Sequence, residues 1–387
     1  MGKQTELIHT GERVPLGVTE ALTTPIYETS TFVFASARAV EDYQAGKTQA
    51  YLYSRYENPT VVGVEQKLAA VDGAEAALTF SSGMAAIATA LFGLLKAGDE
   101  VVCCSAIYGG TFHILEDVLP RFGVERRFVP LEAMRDPAGV IGPKTKLVWF
   151  ESPINPTLRC VDVRAVAAAC RAAGVLSVMD NTFASALNQP VLAMGVDLCM
   201  QSATKYLNGH SDVTAGVLSG RRELIDPLAK ARRLFGGILD PQPAYALGRG
   251  LKTMPLRVAR HNAVAQAVAE GLEGHPRIER VYYPGLPSHP DHEIAKAQMS
   301  GFGGMVCIDV KGGQEAAYRA FDRLRVIKRA ASLGGVESLC SLPCLTSQYG
   351  LTDEELAAAG VTRGMMRLSL GLEDPEDLLA DLTQALE

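Results

Sequence analysis

The chain has 387 residues, of which 48% are hydrophobic and 21% charged, an ordinary composition for a globular protein with a large core. Its formal net charge of -6 argues against a nucleic-acid partner or an anionic membrane surface. Because the sequence has neither the apolar run of a signal peptide nor the ~20 apolar residues of a membrane span, we expect a cytoplasmic protein.

The first 59 residues are rich in Thr, Pro and Tyr and have weak periodicity. They contain no charge block and no low-complexity tract, so their composition does not indicate disorder. We interpret residues 1–59 as an N-terminal arm that embraces a partner, with one short helix near residues 36–45.

Residues 60–245 alternate between short apolar runs and longer segments of helical period. This alternation predicts an α/β domain with a mainly parallel, doubly covered sheet, because strand–helix–strand units form right-handed crossovers. The predicted strands span residues 76–80, 100–105, 124–129, 146–150, 175–179 and 197–201. The predicted helices between them include residues 83–95, 111–121 and 162–173.

Residues 246–387 differ in character and predict a smaller C-terminal α+β domain. Its last helix has Asp374 as the predicted N-cap and Pro375 in its first turn. The other predicted elements are helices at residues 256–272 and 314–324 and strands at 304–310 and 365–370.

Polar or glycine-rich elements follow the predicted strands of the first domain, and sheets of this kind bind ligands at such strand ends. After the first strand, Gly83 and Met84 open a helix whose free N–H groups can hold an anion. After the second strand, Tyr108 precedes two glycines that let the backbone approach a ligand closely. Taken singly, these two elements are better explained as an ordinary helix start and a packed surface tyrosine.

Three further elements follow later strands. Asn155 stands between two prolines, which force an extended path. Asp180 ends an apolar run, where a carboxylate is costly unless it has a partner such as a protonated pyridine nitrogen. Ser202, Thr204 and Lys205 supply two hydroxyls and an amine that burial near positive charge makes nucleophilic. The ordinary alternatives are an Asn-Pro turn, a helix N-cap and a surface turn.

Together, the five elements match the needs of pyridoxal phosphate. This cofactor requires a phosphate cradle, a ring to stack on, an acid for its ring nitrogen and an amine for a Schiff base. The sequence therefore predicts an enzyme that holds pyridoxal phosphate on Lys205. The eight cysteines show no second pair and no histidine cluster, so we expect buried free thiols and no metal.

The sequence also resembles the pyridoxal-phosphate-dependent trans-sulfuration family over almost its whole length. That family includes cystathionine γ-lyase, cystathionine γ-synthase, methionine γ-lyase and the homoserine sulfhydrylases, and the resemblance implies the type I fold of these transferases. The matching motifs are residues 53–60 (YSRYENPT), 81–86 (SSGMAA), 108–111 (YGGT), 180–185 (DNTFAS), 202–205 (SATK), 208–212 (NGHSD), 332–338 (SLGGVES) and 367–371 (RLSLG).

The resemblance implies roles around the cofactor. Lys205 holds it and moves protons, Asp180 pairs with the pyridine nitrogen, and Tyr108 stacks on the ring and protonates the leaving group. The implied phosphate ligands are Gly83, Met84, Ser202 and Thr204.

The resemblance also implies a substrate site and an assembly. Arg367, with Ser332 and Asn155, would hold the substrate α-carboxylate, for which an arginine fork is well suited. Tyr53 and Arg55 would reach the phosphate in a neighbouring subunit. The implied assembly is a homotetramer built from dimers with shared active sites.

Four positions bear on the reaction. Leu52 stands where the cystathionine γ-enzymes carry an acidic residue, and His113 where they tend to carry arginine. Gly110 stands where methionine γ-lyases commonly have cysteine, whereas Glu337 is similar to the cystathionine γ-enzymes. His113 is either a neutral helix residue or, when protonated, a weak anion ligand.

We expect γ-elimination from a sulfur amino acid such as methionine, homocysteine or cystathionine, giving a 2-oxo acid, ammonia and a thiol. The alternative is γ-replacement on an O-acylhomoserine, as in cystathionine γ-synthase or a homoserine sulfhydrylase. An aminotransferase of the same fold is a more distant alternative. So is a cofactor-binding regulator without catalysis, although the sequence has no added DNA-binding domain or basic face.

Overall fold

The computed structural model describes residues 2–12, 15–16 and 19–387. The arm contains little regular structure, as its composition predicts. Its short predicted helix is present, and the Ser36 hydroxyl caps it by accepting the amide of Ala39 at 3.2 Å. The regular elements of the arm are α1 (Lys3–His9), β1 (Pro15–Leu16), β2 (Thr19–Glu20) and α2 (Ala37–Gln44).

A seven-stranded sheet forms the centre of the region after the arm. Six strands are parallel to one another, and β9 alone runs antiparallel to its neighbours, which confirms the mainly parallel sheet. Across the sheet the order is β3-β9-β8-β7-β6-β4-β5. The strands are β3 (Ala76–Phe80), β4 (Glu100–Cys104), β5 (Glu125–Val129), β6 (Thr145–Glu151), β7 (Leu176–Asp180), β8 (Leu198–Gln201) and β9 (Gly216–Gly220).

Helices cover both faces of this sheet, because successive residues of a strand point to opposite sides. Val101 and Cys103 of β4 join a core with α4 and α8, whereas Val102 and Cys104 join one with α6. The helices of this region are α3 (Pro59–Asp72), α4 (Gly83–Leu94), α5 (Gly109–His113), α6 (Val163–Ala173), α7 (Ser185–Asn188), α8 (Arg222–Phe235) and α9 (Pro241–Leu251).

The predicted helix at residues 111–121 is wrong in its extent. The α-helix covers only Gly109–His113 and continues as a π-helical turn, Ile114–Val118, and a 3-10 turn, Leu119–Phe122. Pro120 has no N–H to donate to the preceding turn, so a regular helix ends before it.

A second, five-stranded sheet forms the C-terminal part, with a core of its own against α10, α12 and α14. Its order is β10-β11-β14-β13-β12, antiparallel except between β12 and β13. The strands are β10 (Ile278–Tyr282), β11 (Met305–Val310), β12 (Lys328–Arg329), β13 (Leu339–Ser341) and β14 (Met365–Ser369). The helices are α10 (Met254–Leu272), α11 (His292–Gln298), α12 (Gly313–Arg323), α13 (Asp353–Ala358) and α14 (Pro375–Leu386).

The last helix begins where predicted, but Asp374 does not cap it with a hydrogen bond. Its side chain instead accepts a hydrogen bond from the Arg260 guanidinium at 3.0 Å. The division of the chain at residues 59 and 245 stays a prediction. All eight cysteines are buried free thiols, as predicted.

In the described part of the chain, no helix has both the length and the apolar character needed to cross a bilayer. Within the same residues, no three His, Cys, Asp or Glu side chains lie together as metal ligands.

Asp72, the last residue of α3, is a buried carboxyl beneath the large sheet. Gln201 donates a hydrogen bond to its Oδ1 at 2.8 Å. Burial raises the pKa of Asp72 to about 6, and the hydrogen bond from Gln201 offsets this only in part. Asp72 therefore binds a proton more tightly in the folded chain than in the unfolded one.

A raised folded-state pKa stabilises the fold below the unfolded pKa, and this contribution is lost as the pH rises through about 6. We expect Asp72→Asn to increase stability at pH 8 by up to about 3 kcal/mol relative to the wild type. At about pH 4, where the carboxyl is protonated in the folded chain and roughly half protonated in the unfolded one, most of the gain should disappear. Urea midpoints of the cofactor-free protein at both pH values test this. The exposed Asp226→Asn is the control, and an equal gain at both pH values would contradict the prediction.

Candidate active site

A cavity of about 580 Å³ lies at the carboxyl ends of the central parallel strands and extends to β14 of the second sheet. It brings together residues from most of the strand ends that the sequence singled out. The predicted residues that line it are Gly83, Met84, Tyr108, Asn155, Asp180, Ser202, Thr204, Lys205, Ser332 and Arg367.

Lys205 lies in the turn after β8, and its amine points into this cavity. Its Nζ donates a hydrogen bond to the Ser332 hydroxyl at 3.0 Å. Burial and, to a smaller degree, the positive charge of Arg367 lower the pKa of Lys205. The neutral, nucleophilic amine is therefore more populated than in an exposed lysine.

Arg257 holds the main chain that follows Lys205. Its guanidinium donates to the carbonyl oxygens of Tyr206 at 2.9 Å, Leu207 at 3.3 Å and Gly250 at 2.7 Å. It is buried, and burial lowers its pKa to about 10. No local sequence pattern predicted this contact, because Arg257 lies in a helix about fifty residues further along the chain.

Asp180 is the last residue of β7 and caps no helix, since the next helix begins at Ser185. Its Oδ1 accepts the amide of Thr182 at 3.0 Å. The Thr182 hydroxyl in turn accepts the amide of Ser202 at 2.8 Å, which ties together the ends of β7 and β8. Burial raises the pKa of Asp180, and the hydrogen bonds from Thr182 partly lower it.

The N-terminus of α4 provides an anion cradle in the cavity wall. Ser82 caps the helix by accepting the amide of Ala85 at 3.1 Å, while Gly83 and Met84 line the cavity at the positive end of the helix dipole. A methyl group added to Gly83 would lie 3.2 Å from Cβ of Ser202. A side chain at position 83 would therefore press against the Ser202 side chain in the cavity wall.

Thr204 also lines the cavity, but its hydroxyl is already bonded to the main chain. It donates to the carbonyl of Ala215 at 3.2 Å and accepts the amide of the same residue at 3.0 Å. The Thr204 hydroxyl therefore has no hydrogen left to donate to a ligand and can only accept one further hydrogen bond.

Arg367 of β14 forms the opposite wall, where it is 8% exposed. Its Nη1 donates to Oδ1 of Asn155 at 2.9 Å, which fixes the plane of the guanidinium. Its Nε has no hydrogen-bond partner in the described chain. A buried guanidinium with an N–H group to spare next to Ser332 suits a carboxylate ligand.

Three predicted residues of the arm lie outside the cavity: Leu52, Tyr53 and Arg55. The Arg55 guanidinium lies 4.9 Å from the Tyr56 ring centroid and donates to the carbonyl of Arg233 at 2.5 Å. The resemblance assigns Tyr53 and Arg55 to a neighbouring subunit's site, which a single chain does not contain. Their roles stay predictions.

His113 and Glu337 also lie outside the cavity. The His113 side chain is 71% exposed, and its Nδ1 lies 3.0 Å from Oδ2 of Asp117 one turn along the helix. In this chain the ring therefore contacts a carboxylate and not the cavity.

The cavity wall includes residues that the sequence analysis did not single out. Glu151 and Thr182 sit at or just after strand ends, so the rule that identified Asp180 could also have identified them. Thr346 and Ser347 follow the short β13 and enter the wall only because the two sheets pack together. The other additional residues are Ser82, Ile87, Pro153, Phe183, Met200, Thr214, Ala331 and Leu333.

These residues fit pyridoxal phosphate on structural grounds. Lys205 offers a half-buried amine of lowered pKa, and Asp180 a buried carboxyl without a cationic partner in the described chain. The glycine-lined start of α4 suits the phosphate, and Tyr108, 46% exposed at the rim, offers a ring.

Known proteins agree with this interpretation. The family model for Cys/Met metabolism PLP-dependent enzymes matches residues 4–387. Cystathionine gamma-synthase 1, chloroplastic, of Arabidopsis thaliana is 41% identical over 98% of this chain and 68% of its own length. An L-methionine gamma-lyase of Fusobacterium nucleatum is 42% identical over 100% of this chain and 98% of its own.

A solved structure, metB from Corynebacterium glutamicum, superposes with a TM-score of 0.92 and 38% identity, covering 100% of this chain and 98% of that one. This likeness confirms the predicted type I fold. The chain belongs to the family of Cys/Met metabolism enzymes that depend on pyridoxal phosphate.

Proposed function

We propose that the chain catalyses γ-elimination from a sulfur amino acid such as methionine, homocysteine or cystathionine, giving a 2-oxo acid, ammonia and a thiol. The observation that carries the proposal is the half-buried Lys205 amine, which lines one cavity together with Asp180 and Arg367. Full-length relatives named L-methionine gamma-lyase, 41% to 43% identical, support elimination.

The cofactor would be held by residues already in place. Lys205 would bind it covalently, Asp180 would face its ring nitrogen and Tyr108 its ring. The amides of Gly83 and Met84 and the Ser202 hydroxyl would hold its phosphate. The Thr204 hydroxyl would join them only by releasing the carbonyl of Ala215, to which it now donates. When bound, pyridoxal phosphate supplies an electron sink for the charge that develops at the substrate Cα.

The side chains of the protein would orient the substrate and move its protons. Arg367, fixed by Asn155, would hold the α-carboxylate, because an arginine fork matches a planar carboxylate. Lys205, with its lowered pKa, would take the proton from Cα and return it further along the carbon chain. Tyr108, at the rim of the cavity, would protonate the leaving sulfur.

The second candidate reaction is γ-replacement on an O-acylhomoserine. It is favoured by the 41% identity to the Arabidopsis cystathionine gamma-synthase and by the likeness to metB. Both reactions use the same cofactor and the same Cα proton transfer. They differ in whether a second nucleophile attacks after the γ-group has left.

Covalent attachment tests the role of Lys205. The wild-type protein with pyridoxal phosphate should be yellow, and borohydride should fix the cofactor on Lys205, as located by peptide mass analysis. Lys205→Ala should lose this label and nearly all activity, since it removes the nucleophilic amine. Lys230→Ala, an exposed lysine, is the control. A covalent label on another lysine in Lys205→Ala would contradict the assignment.

Product analysis separates the two reactions. Methionine, homocysteine and cystathionine are each incubated with the holoenzyme alone, and O-acetylhomoserine is incubated with sulfide. We expect ammonia and 2-oxobutanoate from at least one of the first three without an added nucleophile. If product forms only when sulfide or cysteine is present, the enzyme performs γ-replacement and the elimination proposal fails.

We also propose a homotetramer of dimers with shared sites, located in the cytoplasm. The arm supports the shared site: Tyr53 is 40% exposed, and Leu22 and Val33 are more than nine-tenths exposed. Large apolar side chains in such positions suit burial against a second copy. Tyr53 and Arg55 would then complete the neighbouring subunit's phosphate cradle.

Subunit mixing tests the shared site. Arg55→Ala and Lys205→Ala should each be inactive in cofactor-saturated assays at low phosphate. After the two are unfolded together and refolded, half of the dimers would contain one intact site. Activity should therefore recover to about a quarter of the wild-type value, as isologous dimers require. Each variant refolded alone is the control, and no recovery in the mixture would contradict shared sites.

A further inference from the structure

Glu151 is a buried carboxyl in the cavity wall that the mechanism above does not use. It is the last residue of β6 and pairs in register with Asp180, the last residue of β7. Both side chains line the cavity. Because neighbouring strands lie about 4.8 Å apart, side chains that leave paired positions on the same side are direct neighbours.

Glu151 and Asp180 form no ion pair with any residue that the structure describes. Within the described chain, no lysine, arginine or histidine nitrogen lies within 4.0 Å of a carboxylate oxygen of Glu151 or Asp180. Oε1 of Glu151 has no hydrogen-bond partner there, while Oδ1 of Asp180 accepts the amide of Thr182. Two adjacent buried carboxyls without a cation do not readily ionise together.

The side chains that face Glu151 from other elements do not supply positive charge. β4 contributes the thiols of Cys103 and Cys104, and burial raises the pKa of both, so both are neutral. The two cations of the cavity, Lys205 and Arg367, lie beyond ion-pair distance of Glu151. Asp180 is therefore the nearest charge that Glu151 meets.

Backbone amides partly oppose the rise in the pKa of Glu151 that burial and Asp180 cause. Those of Tyr108 and Asn155 face the Glu151 carboxyl and lower its pKa. Burial in the first place, and the charge of Asp180 in the second, raise that pKa well above the usual range. The paired strand ends and the missing cation favour one proton shared by the two carboxyls, and Glu151, whose Oε1 has no hydrogen-bond partner in the described chain, is the residue that we expect to hold it.

We propose that Glu151 is a neutral carboxylic acid that donates a hydrogen bond to the Asp180 carboxylate and so tunes its charge. The proposal rests on the cofactor site proposed above, in which Asp180 faces the ring nitrogen. Because this hydrogen bond spreads the negative charge of Asp180, it lowers the affinity of that nitrogen for its proton. Glu151 is thus a positioning residue that acts through Asp180.

Infrared spectroscopy tests the protonation state without any cofactor. In protein whose glutamates are labelled with carbon-13, the wild-type spectrum at about pH 8 should contain the carbonyl stretch of a protonated glutamate, although the usual pKa of Glu is about 4.3. Glu151→Gln should lose this band. Glu376→Gln, in an exposed position, is the matched control and should keep it. Absence of the band from the wild type would overturn the proposal.

Nitrogen-15 resonance of ring-labelled pyridoxal phosphate tests the effect on the holoenzyme. Glu151→Gln should titrate like the wild type, because its amide donates the same hydrogen bond to Asp180. Glu151→Leu should raise the midpoint of ring-nitrogen deprotonation by about one pH unit, because the donor is lost. If Glu151 were ionised, both substitutions would remove a negative charge and lower the midpoint. That result, or an unchanged midpoint in Glu151→Leu, would overturn the proposal.

The two measurements separate this inference from the proposed function. If the protein takes up no pyridoxal phosphate, the proposed function fails, while the infrared band still decides whether Glu151 is neutral. If Glu151→Leu does not fold, the infrared band and the titration of Glu151→Gln still decide the inference.

Discussion

The parallel pairing of β6, β7 and β8 is the constraint on which the rest of the site depends. Parallel strands end at the same edge of a sheet, so Glu151, Asp180 and the turn that carries Lys205 meet there without help from a long loop. The Thr182 hydroxyl fixes the spacing between two of these ends by accepting the amide of Ser202. The chemistry of the cavity follows from this convergence.

Because the strand ends converge, they also bury ionisable side chains, and burial favours the neutral forms of these side chains. The pKa of Lys205 is lowered, while those of Asp180 and Glu151 are raised. Among the described residues, Oε1 of Glu151 and Nε of Arg367 have no hydrogen-bond partner. A ligand that brings a phosphate, a basic ring nitrogen and an aldehyde would satisfy the groups that the fold leaves unsatisfied, which explains why so many polar side chains are tolerated in one cavity.

The sequence predicted a helix or strand accurately where the residues of that element alone showed its period and both of its ends. Long apolar runs bounded by turns, such as those forming β4 and β7, were located to within a residue or two. The strand Gly216–Gly220 was missed, because a five-residue run with glycine at both ends has little periodicity of its own. The helix after Tyr108 was drawn too long, since its apolar period continues past the point where Pro120 ends regular helix.

By itself, the sequence determined the α/β type of the fold and predicted Lys205, Asp180 and Arg367 as site residues, because each follows from a local pattern or from an extended motif; these three residues line one cavity. Only the tertiary structure decided which groups touch. It placed the Arg257 guanidinium against the backbone carbonyls that follow Lys205. It also set Glu151 beside Asp180 and left His113 on the surface. Such contacts depend on strand register and on how the sheets pack, which the order of residues along one segment does not encode.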